Sequence, residues 1–218
     1  MGGLGLMFRR RAIQAHPTAG SDYIKFADAE VLRVLIANGV SSDGVGVTKD
    51  DALKLTSLGS IFKDNGTIVS FSELDYFLNV KQLTDYVFSY CVNLKSIGCS
   101  NIEVVKERCF DNSGVEELIL ENIVEVGARG FFGMKKIKKI VLGERLSIIR
   151  TSNFWSWSET AKSVIIKAKE PPTIEGDNQP GWYAVSFYVP DESVDAYKAA
   201  NRWSSWASRI YPISQYVE

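Results

Sequence analysis

Four phenylalanines, Phe88, Phe110, Phe131 and Phe154, recur at intervals of 22, 21 and 23 residues. Each carries the same apolar frame. Leu83, Val105, Val126 and Ile149 precede them at a constant distance. Four short runs follow: Leu94-x-x-Ile97-x-Cys99, Val115-x-x-Leu118-x-Leu120, Ile137-x-x-Ile140-x-Leu142 and Ala161-x-x-Val164-x-Ile166. Self-similarity at such a period marks a repeat architecture, in which one unit is too small to bury its own apolar face and must stack on its neighbours. A stack of this kind offers a wide exposed face, which points towards binding before catalysis.

Each run reads as a short strand of an L-x-x-L-x-L rung. Alternation then sends Leu118 and Leu120 inward and Glu117 and Ile119 outward. Aligning the rungs places Gly98, Ile119, Val141 and Ile165 in one outward column. Its three β-branched residues have two readings: a binding stripe, or side chains that merely suit a pleated surface and pack on one another. Lys95, Glu116, Lys138 and Lys162 share a neighbouring column, and Glu117 stands beside Lys139. Charges that alternate between rungs read as a solvated salt ladder rather than an anion site.

Around the repeats, the chain divides into an arm (1–22), a small helical N-terminal module (23–79), the repeats (80–170) and a C-terminal cap (171–218). Asp28 is placed to cap a helix over 29–38, with Val31, Leu32, Leu35 and Ile36 inward. Thr48 and Asp51 have the spacing of a capping box. The Gly-rich stretch between them has too few oxygen ligands around Asp43 for a calcium loop. After a strand at 186–190, a helix and the aromatic residues Trp203, Trp206 and Tyr211 are expected to cover the last apolar rung.

Basic and acidic residues balance, 25 against 26, so nothing directs the chain to nucleic acid. No run of apolar residues is long enough for a membrane span. The start is apolar and then basic at Phe8, Arg9, Arg10 and Arg11, the reverse of a cleaved secretory signal. That arm reads either as a floppy tail or as an anchor that becomes ordered in an assembly. Cys91, Cys99 and Cys109 have no metal-ligand spacing and read as small core residues. No nucleophile elbow, zinc-protease or phosphate-loop motif occurs, so no catalytic site, metal or cofactor is expected.

The turn Val126-Gly-Ala-Arg-Gly-Phe131 with its rung, and the end from Phe187 to Ala200 with Trp203, resemble the BspA-type leucine-rich-repeat proteins of gut and oral anaerobic bacteria and their phages. The segment from Phe26 to Val31 and Thr56 to Gly59 resembles the module that precedes such repeats. The resemblance spans about 23–218. Phe154-Trp-Ser-Trp-Ser158 departs from it, because small residues usually follow the repeat phenylalanine. It implies an α+β leucine-rich-repeat solenoid of about four to five short turns, with a helical N-terminal module and an aromatic C-terminal cap.

The expected role is non-enzymatic interaction or adhesion, with a protein or a host-surface glycan as partner. Ile119, Val141, Ile165, Glu117 and Lys139 are the expected contact residues. The arm at Phe8 to Arg11 is the expected contact with other virion proteins. The setting is a bacteriophage virion or, alternatively, a bacterial cell surface.

Overall fold

The computed structural model describes residues 22–157, 162–176 and 185–217. Helix α1 (Ala29–Ala37) is capped by Asp28, whose Oδ1 accepts from the Glu30 N–H, and it buries Val31, Val34 and Leu35. The other Asp28 oxygen accepts from the Val69 N–H at 2.6 Å, so one carboxylate starts the helix and steadies the entry to β1 (Ser70–Phe71). Helix α2 (Lys49–Lys54) begins at a complete capping box between Thr48 and Asp51. In the loop between the helices, Asp43 Oδ1 accepts from the Val45 and Gly46 N–H groups, while Oδ2 accepts from the Tyr23 hydroxyl.

Strand β1 pairs with β3 (Ser96–Ile97). One five-stranded sheet joins β2 (Gln82–Leu83), β4 (Val104–Val105), β6 (Glu125–Val126), β8 (Ile148–Ile149) and β10 (Thr173–Ile174) in sequence order. A second joins β5 (Glu117–Leu120), β7 (Lys139–Leu142), β9 (Lys162–Ile166), β11 (Val185–Val189) and β12 (Ile210–Pro212). The strand at 186–190 is therefore not the last, since β12 follows helix α3 (Val194–Ala199) and extends the sheet. Every named strand pairing is parallel and joins one unit to the next, as in an α/β repeat fold.

The corners between the sheets share one backbone device. Two residues in the left-handed region flank each phenylalanine: Tyr86 and Tyr90 around Phe88, Arg108 and Asn112 around Phe110, Arg129 and Gly133 around Phe131, Ser152 and Ser156 around Phe154. Such a conformation costs a non-glycine residue about 1–2 kcal/mol. What offsets it is hydrogen bonding between turns. The N–H groups of Tyr86, Phe88 and Tyr90 donate to the carbonyls of Glu107, Cys109 and Asp111 at 3.0, 2.9 and 2.8 Å. Arg108, Phe110 and Asn112 repeat the pattern onto Ala128, Gly130 and Phe132. The corner thus leaves few backbone groups unpaired in the interior.

The phenylalanine rings stack along the interior, with centroids 5.6 Å apart for Phe88–Phe110 and 6.4 Å for Phe110–Phe131. Phe62 joins them, 5.6 Å from Phe88. The stack therefore begins inside the segment read as the N-terminal module. Two irregularities hide that turn in the sequence: a longer interval to Phe88, and Glu73 at the inward end of its rung. Glu73 is buried there, with Oε1 accepting from the Ala27 N–H.

Beyond Phe131 the ladder changes partner. The Phe131 N–H donates to Asn153 Oδ1 at 3.1 Å instead of to a backbone carbonyl. Asn153 is fully buried, and its amide donates to the Gly127 and Arg150 carbonyls. Phe154 turns to Trp157 and Phe187, and Phe187 packs on Trp203 and Trp206. Two of the cap's buried aromatics have their polar ends satisfied: the Tyr197 hydroxyl donates to the Ala168 carbonyl and the Trp203 indole to that of Pro172.

Candidate interaction face

The face turned to solvent by the longer sheet is built by simple alternation. In β5, Leu118 and Leu120 are buried while Glu117 and Ile119 are exposed. The register carries Ile119 to Val141 and then to Ile165, as the rung alignment expects. It then runs on to Tyr188 in β11 and Tyr211 in β12. The row thus has two aromatic members that the repeat frame did not reveal, because they come from segments outside its spacing. The alternation Val185-x-Phe187-x-Val189 is the signal that places Tyr188 outward.

The expected exposed stripe needs correction. Ile119 is 47% exposed, but Val141 and Ile165 are each only 8% exposed. Strands about 4.8 Å apart let neighbours in a row cover one another, and an interior member is covered from both sides. Ile119 stays open because its other neighbour is Gly98: the Glu116 N–H donates to the Lys95 carbonyl, which sets that alignment. Gly98 itself offers no open floor. A Cβ there would run into the Ser72 carbonyl and the Asp75 carboxylate of the 3₁₀ turn Ser72–Tyr76, which crosses the face at this point.

Charged columns border the row. Lys139 Nζ lies 3.5 Å from Glu117 Oε2, and Lys138 Nζ lies 2.7 Å from Glu116 Oε2. The hydrogen bond to Lys138 holds the Glu116 carboxyl below its ordinary range, and the same bond raises Lys138. On the other border, Lys167 pairs with Glu121 at 2.7 Å. Lys162, expected in the solvated ladder, is instead 3% exposed, because it takes the inward parity of β9 beside Val164. Burial, then the neighbouring Lys138, pushes its ammonium below the usual lysine range.

At the far end of the row the rings gather. Tyr188 lies 5.8 Å from Tyr211 and 5.0 Å, edge to face, from Tyr216. The expected arm residues Phe8, Arg9, Arg10 and Arg11 lie outside the described residues.

Cys91, Cys99 and Cys109 are buried free thiols. Burial pushes Cys91 up to about 12 and the other two further in the same direction. Among the described residues no group of His, Cys, Asp and Glu is placed to hold a metal ion, and no helix is long and apolar enough to cross a membrane.

Residues 60–171 match the model of the BspA type leucine-rich repeat region, in six copies against the four to five turns expected from the frame. The match opens at the turn of Phe62. No curated protein matches the chain.

Proposed function

Because the chain belongs to the BspA-type leucine-rich-repeat family, we propose that it is a non-enzymatic, adhesin-like module that binds a protein partner through its outward sheet face. One observation carries this reading. A row running from Ile119 to Tyr211 is apolar or aromatic along its length, and the charges at its border are paired with one another. An uncharged centre inside a polar rim is the anatomy of a protein interface. Glu117 and Lys139 form part of that rim. Ile119 and Tyr211 are the members open to contact, at 47% and 37% exposure.

The proposed setting is a surface, either that of a bacterium or that of a virion assembled in the host, with residues 1–22 as the tether. Capture of surface proteins by immobilised wild-type chain and by the Ile119→Ser chain tests the face. The variant should fold normally, since a surface change usually shifts stability by less than about 0.5 kcal/mol. It should also retain markedly less of whichever protein the wild type retains. Equal capture of that protein by both chains would remove the face from the proposal. Deleting residues 1–22 should release the chain from its native complex, and full co-purification of the truncated chain would remove the tether.

A further inference from the structure

We propose that the C-terminal half of this face, at Tyr188, Tyr211 and Tyr216, seats a short oligosaccharide. This gives one end of the face described above a second class of ligand, beside the protein contact centred on Ile119, and rests on the reading of that face as an interaction surface.

The first argument is chemical. A tyrosine ring offers an apolar face that covers the C–H side of a sugar, while its hydroxyl stays wet. Here three rings meet, Tyr188 touching both Tyr211 and Tyr216. The described residues give the Tyr188 and Tyr216 hydroxyls no hydrogen-bond partner. The Tyr211 hydroxyl donates to the Ser208 carbonyl at 3.1 Å, which leaves its oxygen able to accept. Ser163 and Ser186 stand in register beside the row. Each hydroxyl both donates and accepts, as sugar hydroxyls do.

The second argument is charge. Charged groups just past the ends of β9 and β11 are already engaged. Asp191 accepts from the Ser214 N–H at 3.1 Å, Lys169 pairs with Glu192 at 3.1 Å, and Lys167 pairs with Glu121. Arg209 closes the 3₁₀ turn Trp203–Arg209 directly before β12, and its guanidinium is a fork of N–H donors. A polar ligand rich in hydroxyls suits this set better than a surface that presents charges of both signs.

The third argument is area. From β9 through β11 to β12 the seat spans two strand spacings, about 10 Å, and along the strand from 186 to 190 about 13 Å. That is about 130 Å², roughly a sixth of the ~800 Å² each partner buries in a standard protein complex. A narrow linear ligand fills it, whereas a folded partner would need more ground.

Titrating the isotope-labelled full chain with cellotetraose, mannotetraose and chitotetraose tests the proposal. The expected result is that one of them shifts the amide signals of Tyr188, Tyr211 and Tyr216. Tyr211→Ala should weaken that sugar about tenfold. Tyr211→Phe, which keeps the ring, should lose less. Absence of shifts with all three sugars at millimolar concentration would overturn the proposal, and so would unchanged affinity in Tyr211→Ala. If a captured protein depends on Tyr211 and no sugar competes with it, the seat belongs to a protein. That outcome overturns the inference while the interaction module itself stands.

Discussion

Lys167 reaches over Gly143 to Glu121, its Nζ lying 2.7 Å from Oε1 across a whole intervening strand. Glu121, Gly143 and Lys167 follow Leu120, Leu142 and Ile166, which are in register, so the three form one column at the rim. Only a residue without a side chain in the middle lets the outer two meet. A Cβ at Gly143 would also run into the Glu121 carbonyl.

Gly143→Ala should therefore cost far more than loss of the ion pair it spans. Forcing a methyl against backbone costs about 1–3 kcal/mol, whereas Lys167→Ala should fall within about 1 kcal/mol. Urea unfolding of the two variants measures both. Equal costs would place the importance of the site in the ion pair rather than in the space.

Phe131 is fully buried and packs against Phe110. Emptying its position in Phe131→Ala should cost roughly 3–5 kcal/mol, the range for a core phenylalanine. A variant that melts with the wild type would show that the ring stack is not where the units hold together.

Asn153 bridges two turns by accepting from the Phe131 N–H and donating to the Gly127 and Arg150 carbonyls. Asn153→Ala leaves these buried groups without that partner. Each buried polar group left unpaired costs about 1–3 kcal/mol, so the loss should reach several kcal/mol in denaturant titration. It should exceed that of Asn122→Ala, since Asn122 donates to the Ser100 carbonyl at an exposed site.

Reagents that need a thiolate should find the folded chain inert. Cys91, Cys99 and Cys109 are buried, and burial raises all three, Cys91 to about 12. At neutral pH, colour from a disulfide reagent should develop at the rate of unfolding, not of simple reaction. A fast phase without denaturant would contradict the burial of these groups.

Acid should weaken the N-terminal module in a defined window. Arg33 first, then the Asn65 amide, hold the Glu30 carboxyl down at about 2. A folded value below the unfolded one, near 4.3, means the contribution is complete above that pH and is lost as pH falls towards 2. Glu30→Gln should flatten that part of a stability-against-pH profile, and salt should shrink the difference because the pair is exposed. A profile unchanged by the substitution would show that the pair adds nothing to folding.

The repeat frame was legible in the chain itself, because one turn is a local event. The spacing of Phe88, Phe110, Phe131 and Phe154 sets how much backbone lies between corners, and Leu118-x-Leu120 alternation sets which side each residue faces. From these follow the registers of Ile119, Val141 and Ile165 and the pairing of Glu117 with Lys139. The capping roles of Asp28 and Thr48 are equally local. Exposure is not local. Whether an outward residue is open depends on what the neighbouring units place at either side, and those come from segments more than twenty residues away. Gly98 beside Ile119 leaves one end of the row open, while Tyr188 and Tyr211 extend the other end, and Val141 and Ile165 are covered between them. The place of Phe62 in the stack, the bridge of Asn153 and the burial of Lys162 were likewise decided only when distant segments packed together, since spacing carries no record of what a side chain meets across the core.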